Sequence, residues 1–206
     1  MLPFALGIDI GGTRIKSASF DLASGRQLHS ALLPTKDGST APDGSPAFSH
    51  TVRELVAHHQ DKLGTPASAI GISAPGIALP DGSAISSNPG KLAGLEGLAW
   101  ADHLDHPQVL TLNDAHAALL GELWQGAAKG LSDVVLLTLG TGVGGAITIG
   151  GKLFKGHSGR AGHIGHMSLD PWGAPDICQA PGSLELALGN ATVAARSGGR
   201  FPCTHD

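Results

Sequence analysis

The residues best suited to chemistry fall in four short runs. GIDIGGTRIK, 7 to 16, sets Asp9 at the end of an apolar run, followed by Gly11, Gly12, Thr13 and, further on, Lys16. Successive backbone N–H groups in such a glycine turn can cradle phosphate oxygens, because glycine lets the backbone come close to a ligand. Asp9 could hold Mg²⁺ through water. The same residues also make an ordinary hairpin with Gly-Gly at its tip. NDAHAALLGE, 113 to 122, places Asp114 where a strand gives way to a helix, a position where ligands gather in α/β architecture. Asp114 serves equally as a helix cap. LGTGVGGA, 139 to 146, satisfies G-x-G-x-x-G through Gly140, Gly142 and Gly145. The dinucleotide fingerprint needs a helix next; the β-branched AITIGG follows instead, so a second glycine-rich hairpin is expected. No Walker pattern occurs. The fourth run, GHIGHMSLDPWGAPDICQAPGSLE at 162 to 185, gathers His163, His166, Asp176, Cys178, Ser183 and Glu185. It reads as a metal site, a recognition loop or a plain polar loop.

These runs need a scaffold, and the rest of the chain supplies one. FALGIDI (4 to 10), RIKSASFD (14 to 21) and RQLHSALL (26 to 33) are short apolar or alternating runs divided by turn signals, which predicts an antiparallel meander. Residues 34 to 47 should be loop. Val52, Leu55, Val56, His59 and Leu63 fall at helical spacing, ending near Gly64. A strand is expected at AIGISA, an irregular connection over 76 to 106 with one short helix near 98 to 104, and a strand at QVLTL, 108 to 112. Leu119, Leu120, Leu123, Trp124, Ala127 and Ala128 predict a helix with a continuous apolar stripe. The pattern of strand, glycine turn and strand then starts again at DVVLLTLGTGVGGAITIGGKLF, an internal echo. The remaining histidines, His157 included, are expected at the surface or in loops.

Composition narrows the class. With 206 residues, 41% hydrophobic and 15% charged, the chain can bury a core as one large domain or two small ones. A net charge of −4 without a Lys/Arg cluster removes the footprint of a nucleic-acid binder. The amino terminus lacks a cationic start and its apolar run stops at Asp9, so no secretory signal is expected. Two cysteines, Cys178 and Cys203, are too few for a disulfide framework, which points to a cytoplasmic chain. The uncharged stretch from 134 to 151 holds six glycines and three threonines, so a hairpin is expected there and no membrane span.

Taken together, GIDIGGTRIK, SAPG (73 to 76), NDAHAALLGE, LGTGVGGA and GHIGHM, in this order and spacing, resemble the ROK family of sugar kinases and sugar-responsive regulators. The resemblance implies an actin-like ATPase (ribonuclease H-like) α/β fold of two lobes with a cleft, one lobe spanning 1 to 114 and an incomplete second one 115 to 206. It implies ATP and Mg²⁺ at Asp9, Gly11, Gly12, Thr13 and Lys16 in the first hairpin and at Gly140, Thr141, Gly142 and Gly144 in the second. It implies a monosaccharide at Asn88, Asn113, Asp114, His163, His166 and Glu185, with Asp114 as the catalytic base, and it makes a homodimer plausible. Family members commonly hold zinc with a histidine and three cysteines in the fourth run. Aligned on His166 and Glu185, this chain has Asp176, Cys178 and Ser183 at the cysteine positions, so zinc is disfavoured even though His166 and Cys178 remain good ligands. His163 stands where a glutamate usually contacts sugar.

The expected activity is therefore ATP-dependent phosphorylation of a sugar hydroxyl, as in a glucokinase. Family kinases continue well beyond the tail ARSGGRFPCTHD, which sets a second expectation against the first: a non-catalytic sugar- or nucleotide-binding remnant without an adenosine pocket. The enzyme is favoured because Asp9, Asp114 and both hairpins are intact. A repressor is disfavoured, since nothing before the first hairpin has room for a helix-turn-helix.

Overall fold

The computed structural model describes residues 3–201, so Cys203 lies outside the described residues. The chain divides into two compact units, Met1–Asp114 and Ala115–Asp206.

The first unit is built on a five-stranded sheet in the order β3-β2-β1-β4-β7. β1 (Phe4–Ile10), β2 (Arg14–Asp21) and β3 (Gln27–Pro34) form the expected antiparallel meander. β4 (Ala69–Ala74) pairs parallel with β1, and β7 (Val109–Asn113) parallel with β4. Strict alternation sends Phe4, Leu6, Ile8 and Ile10 into the core. α1 (Ala47–Leu63) lays Phe48, Val52, Leu55, Val56 and His59 against the sheet. It ends at Gly64, whose positive φ of 66° suits a left-handed cap and whose N–H donates to Gln60 O at 2.8 Å. The connection from 76 to 106 is less irregular than its Gly and Pro content predicts. It contains the two-stranded hairpin β5 (Ile77–Ala78) and β6 (Ile85–Ser87) besides the helix α2 (Trp100–Leu104).

The second unit takes up α3 (Asp114–Gln125) from its second residue. The antiparallel β8 (Val134–Leu139) and β9 (Val143–Ile149) follow, with the short β10 (Lys152–Leu153) at the edge of a three-stranded sheet. The uncharged stretch is thus a hairpin. After a 3₁₀ turn at Ile164–His166 come α4 (Leu184–Leu188) and α5 (Asn190–Arg196). α3 ends at Gln125, so Ala127 and Ala128 of the expected helix lie beyond it; on α3 itself Leu119 is buried but Leu120 and Trp124 are exposed, so the stripe is only partly covered. His59 is fully buried on the apolar face of α1, as its helical spacing predicts, whereas His116 departs from expectation: it is buried beside Ala115 in the first turns of α3. No described helix is long and apolar enough to cross a membrane.

Candidate functional site

In the first unit, parallel pairing brings several of the expected residues to neighbouring strand ends. Asp9 on β1 is in register with Ser73 on β4, and Ala74 is in register with Asn113 on β7. Asp114 follows as the exposed first residue of α3, where the helix dipole favours a negative charge. Ser73 Oγ donates to Asp9 Oδ1 at 2.6 Å, fixing the carboxylate's orientation. Buried Asn113 donates through Nδ2 to Gly76 O at 2.9 Å. Gly76 has φ 99°, and a Cβ there would collide with Ser87 O, Ile85 and Asn88, so glycine lets the β5–β6 hairpin close over this loop. That closure sets half-buried Asn88 near Asn113; its Nδ2 donates to Lys91 O at 2.6 Å.

The turn from β1 to β2 is fixed by Gly11 N–H donating to Arg14 O at 3.1 Å and by Thr35 Oγ1 donating to Gly11 O at 2.6 Å. Gly12 and Thr13 are exposed at its tip, and Lys16 is exposed on β2 opposite Asp9. Sequence reasoning missed Lys91, whose Cδ lies 3.2 Å from where a Gly12 Cβ would stand. It missed Thr35 as well. Neither sits in a motif, and only the folded connection brings them to the turn.

In the second unit, Gly140, Thr141 and Gly142 form the tip between β8 and β9, whereas Gly144 already lies within β9, paired with Thr138. Glu185 of α4 accepts from Val143 N–H through Oε2 at 3.0 Å, and a Cβ on Gly142 would fall on that carboxylate. Asn190 N–H donates to Gly140 O at 2.9 Å and Ala191 N–H to Thr141 O at 3.0 Å, so the start of α5 grips the same tip.

His163 precedes the 3₁₀ turn, and its Nε2 is buried with no hydrogen-bond partner among the described residues. Burial, then the nearby His116, His166 and Arg160, lower its pKa from the ordinary imidazole value. His166 turns elsewhere. Its Nδ1 donates to Asp176 Oδ2 at 2.8 Å, and Cys178 Sγ lies 3.6 Å from its Nε2.

His166, Asp176 and Cys178 offer ligand atoms within 4.8 Å of one another, close enough for one ion. The donor chemistry nevertheless does not fit a structural zinc, which takes four ligands drawn chiefly from thiolates and imidazoles. Burial, then the Asp176 and Glu185 carboxylates, raise the Cys178 thiol above its ordinary pKa. Ser183 offers only a hydroxyl. Burial would raise the Asp176 pKa, but hydrogen bonds from His166, Ser183, Ala180 and Cys178 outweigh it and hold the carboxyl down to about 2.

The ROK family model matches residues 5–201. The chain belongs to the ROK family. ROK relatives include the N-acetylmannosamine kinase of Shigella boydii serotype 18, 36% identical over 197 residues that make up 94% of this chain and 64% of that protein. The glucokinase of Halalkalibacterium halodurans is 34% identical over 205 residues, 93% of this chain and 58% of that one. Among solved structures, the ROK family glucokinase from Streptomyces griseus in complex with glucose and AMPPNP superposes with a TM-score of 0.76 at 29% identity, covering 93% of this chain and 59% of that one. This ROK chain therefore has the actin-like ATPase α/β fold and spans at most about 64% of the length of these relatives.

Proposed function

We propose that this chain carries the sugar-activating part of an ATP-dependent sugar kinase. The observation that carries the reading is Asp114, an exposed carboxylate opening α3 directly after buried Asn113, beside the strand ends that hold Asp9 and Ser73. A carboxylate there accepts the proton of a bound sugar hydroxyl as the hydroxyl oxygen forms its bond to the γ-phosphorus of ATP and ADP departs. In the first unit Asn88 and Asn113 offer hydrogen bonds to sugar hydroxyls; the second unit carries hydroxyl-binding groups of its own in His163, His166 and Glu185. The exposed Gly12–Thr13 backbone and Lys16 are the phosphate-binding groups of the first unit, and the Gly140–Gly142 tip is the glycine turn of the second able to take phosphate oxygens. Both tips are pinned by side chains or backbone, Thr35 bonding Gly11 O and the start of α5 bonding Gly140 O and Thr141 O. Asp9 would hold Mg²⁺ through water, and the ion would neutralise charge on the phosphates.

The substrate we propose is an N-acetylhexosamine, with N-acetylmannosamine the first to test. Support comes from the 36% identical N-acetylmannosamine kinase and from His163, an imidazole where a carboxylate is usual. A coupled assay of ADP release with N-acetylmannosamine, N-acetylglucosamine, glucose and mannose tests both statements. Wild type should release ADP fastest with N-acetylmannosamine, and Asp114→Asn should lower that rate by about 10²- to 10⁴-fold while sugar binding persists. Sugar binding without sugar-stimulated ADP from the wild type would replace the kinase with a non-catalytic sugar-binding member of the family.

A further inference from the structure

We propose that the carboxylate of Asp176 organises the 163-to-185 loop in the place of a metal ion, and that it fixes His166 as the Nδ1–H tautomer. The side chain of Asp176 is 1% exposed, so its charge must be met inside the protein. Four donors meet it. His166 Nδ1 donates to Oδ2 at 2.8 Å; Cys178 N–H at 2.8 Å and Ala180 N–H at 3.0 Å donate to Oδ1; the Ser183 hydroxyl donates as well.

These donors come from three separate pieces of the loop: the 3₁₀ turn, the 178-to-180 segment and the start of α4. One carboxylate thus ties together the elements that a four-ligand ion would tie together. Ser183 completes the tie, since its Oγ also accepts from Leu186 N–H at 3.4 Å and caps α4. The pairings of Ser168 with Ser183 and of Pro175 with Pro181 close the loop around the carboxylate. A metal would have to displace donors from an acceptor that is already saturated.

The tautomer follows from the same geometry. Nδ1 carries the proton given to Asp176, which in the neutral ring leaves Nε2 as the acceptor, here facing the Cys178 thiol at 3.6 Å. Asp176 is therefore a positioning residue. It presents His166 as a hydrogen-bond acceptor to whatever hydroxyl reaches it, and the inference holds whether or not the chain is a kinase.

The test uses the full chain and needs no substrate. Elemental analysis of the purified protein should find well under one zinc per chain, and its melting temperature should not move in EDTA. Long-range ¹H–¹⁵N spectra should show His166 protonated at Nδ1. Asp176→Ala should lower the melting temperature by about 5–10 °C. Asp176→Asn keeps the side chain's shape, and should still fold while losing the fixed Nδ1–H tautomer. Stoichiometric zinc with a chelator-sensitive melting temperature would overturn the proposal. So would an Nε2–H tautomer in the wild type, or an Asp176→Asn variant unchanged in both stability and tautomer.

Discussion

His59 shows how far one buried side chain departs from its ordinary behaviour. Its Nε2 lies 2.9 Å from Ser17 Oγ, and its Nδ1 is buried without a partner among the described residues. His29 and His58 stand beside it, their Nε2 atoms 3.0 Å apart. Burial, then the charges His29 and His58 would carry, depress the pKa of His59 from 6.5 to about 4. A histidine with a lowered native pKa binds its proton later in the folded state than in the unfolded chain. Between pH 6.5 and 4 the unfolded state therefore takes up the extra proton, and stability falls as the pH falls through that window. At about 1.4 kcal/mol per unit the loss is on the order of 3 kcal/mol. Denaturant titrations across this range should show that slope, and His59→Gln, which keeps a hydrogen-bonding group toward Ser17, should flatten it. An equal slope in both proteins would remove His59 as its cause.

At the scale of elements, the second unit is held by backbone packed on backbone. A Cβ on Gly165, in the 3₁₀ turn, would collide with the carbonyl of Val143 on β9, and neither partner can swing aside. Gly140, at the tip of the same hairpin, has nothing within 4 Å of its Cβ position. Gly165→Ala should cost about 2–3 kcal/mol, and Gly140→Ala should stay within about 0.5 kcal/mol, measured by chemical denaturation. Equal losses would mean that the turn does not pack on β9 as described. The same contrast explains what could be read from sequence. The meander, α1, β4 and β7 each carry a period of two or 3.6 residues, and their apolar pattern predicts them. β5 and β6 are too short, at two and three residues, to carry any period. Asp9, Asn113, Asp114 and the glycine turns stand in motifs and were legible. Thr35 reaches Gly11 across 24 residues and Glu185 reaches Val143 across 42, so their roles exist only in the folded chain. Asp176 was legible only as a lost ligand; its four donors were not.

At the scale of the whole molecule, the two units differ most in their cores. Among the described residues, the first buries 18 in one hydrophobic cluster, from Phe4 through Val109; the second buries three in its cluster, Ala115, Leu119 and Ala146, with half-buried neighbours such as Leu123 and Leu136. The reason lies in β8, which is apolar on both faces, as in a strand meant for burial on both. Val134 and Leu136 face the small core, while Val135 (60%), Leu137 (48%) and Leu139 (50%) are exposed. Hydrophobic stabilisation scales with buried apolar area, so the second unit should melt first. Calorimetry of the full chain should resolve two transitions instead of one. Leu119 and Leu55 are both at most 1% exposed, one in each core, and truncating either should cost about 2–5 kcal/mol. Leu119→Ala should therefore lower the first transition and leave the second in place, while Leu55→Ala should lower the second. A single transition that both variants shift alike would mean that the units unfold together, and that the small core of the second draws its stability from the first.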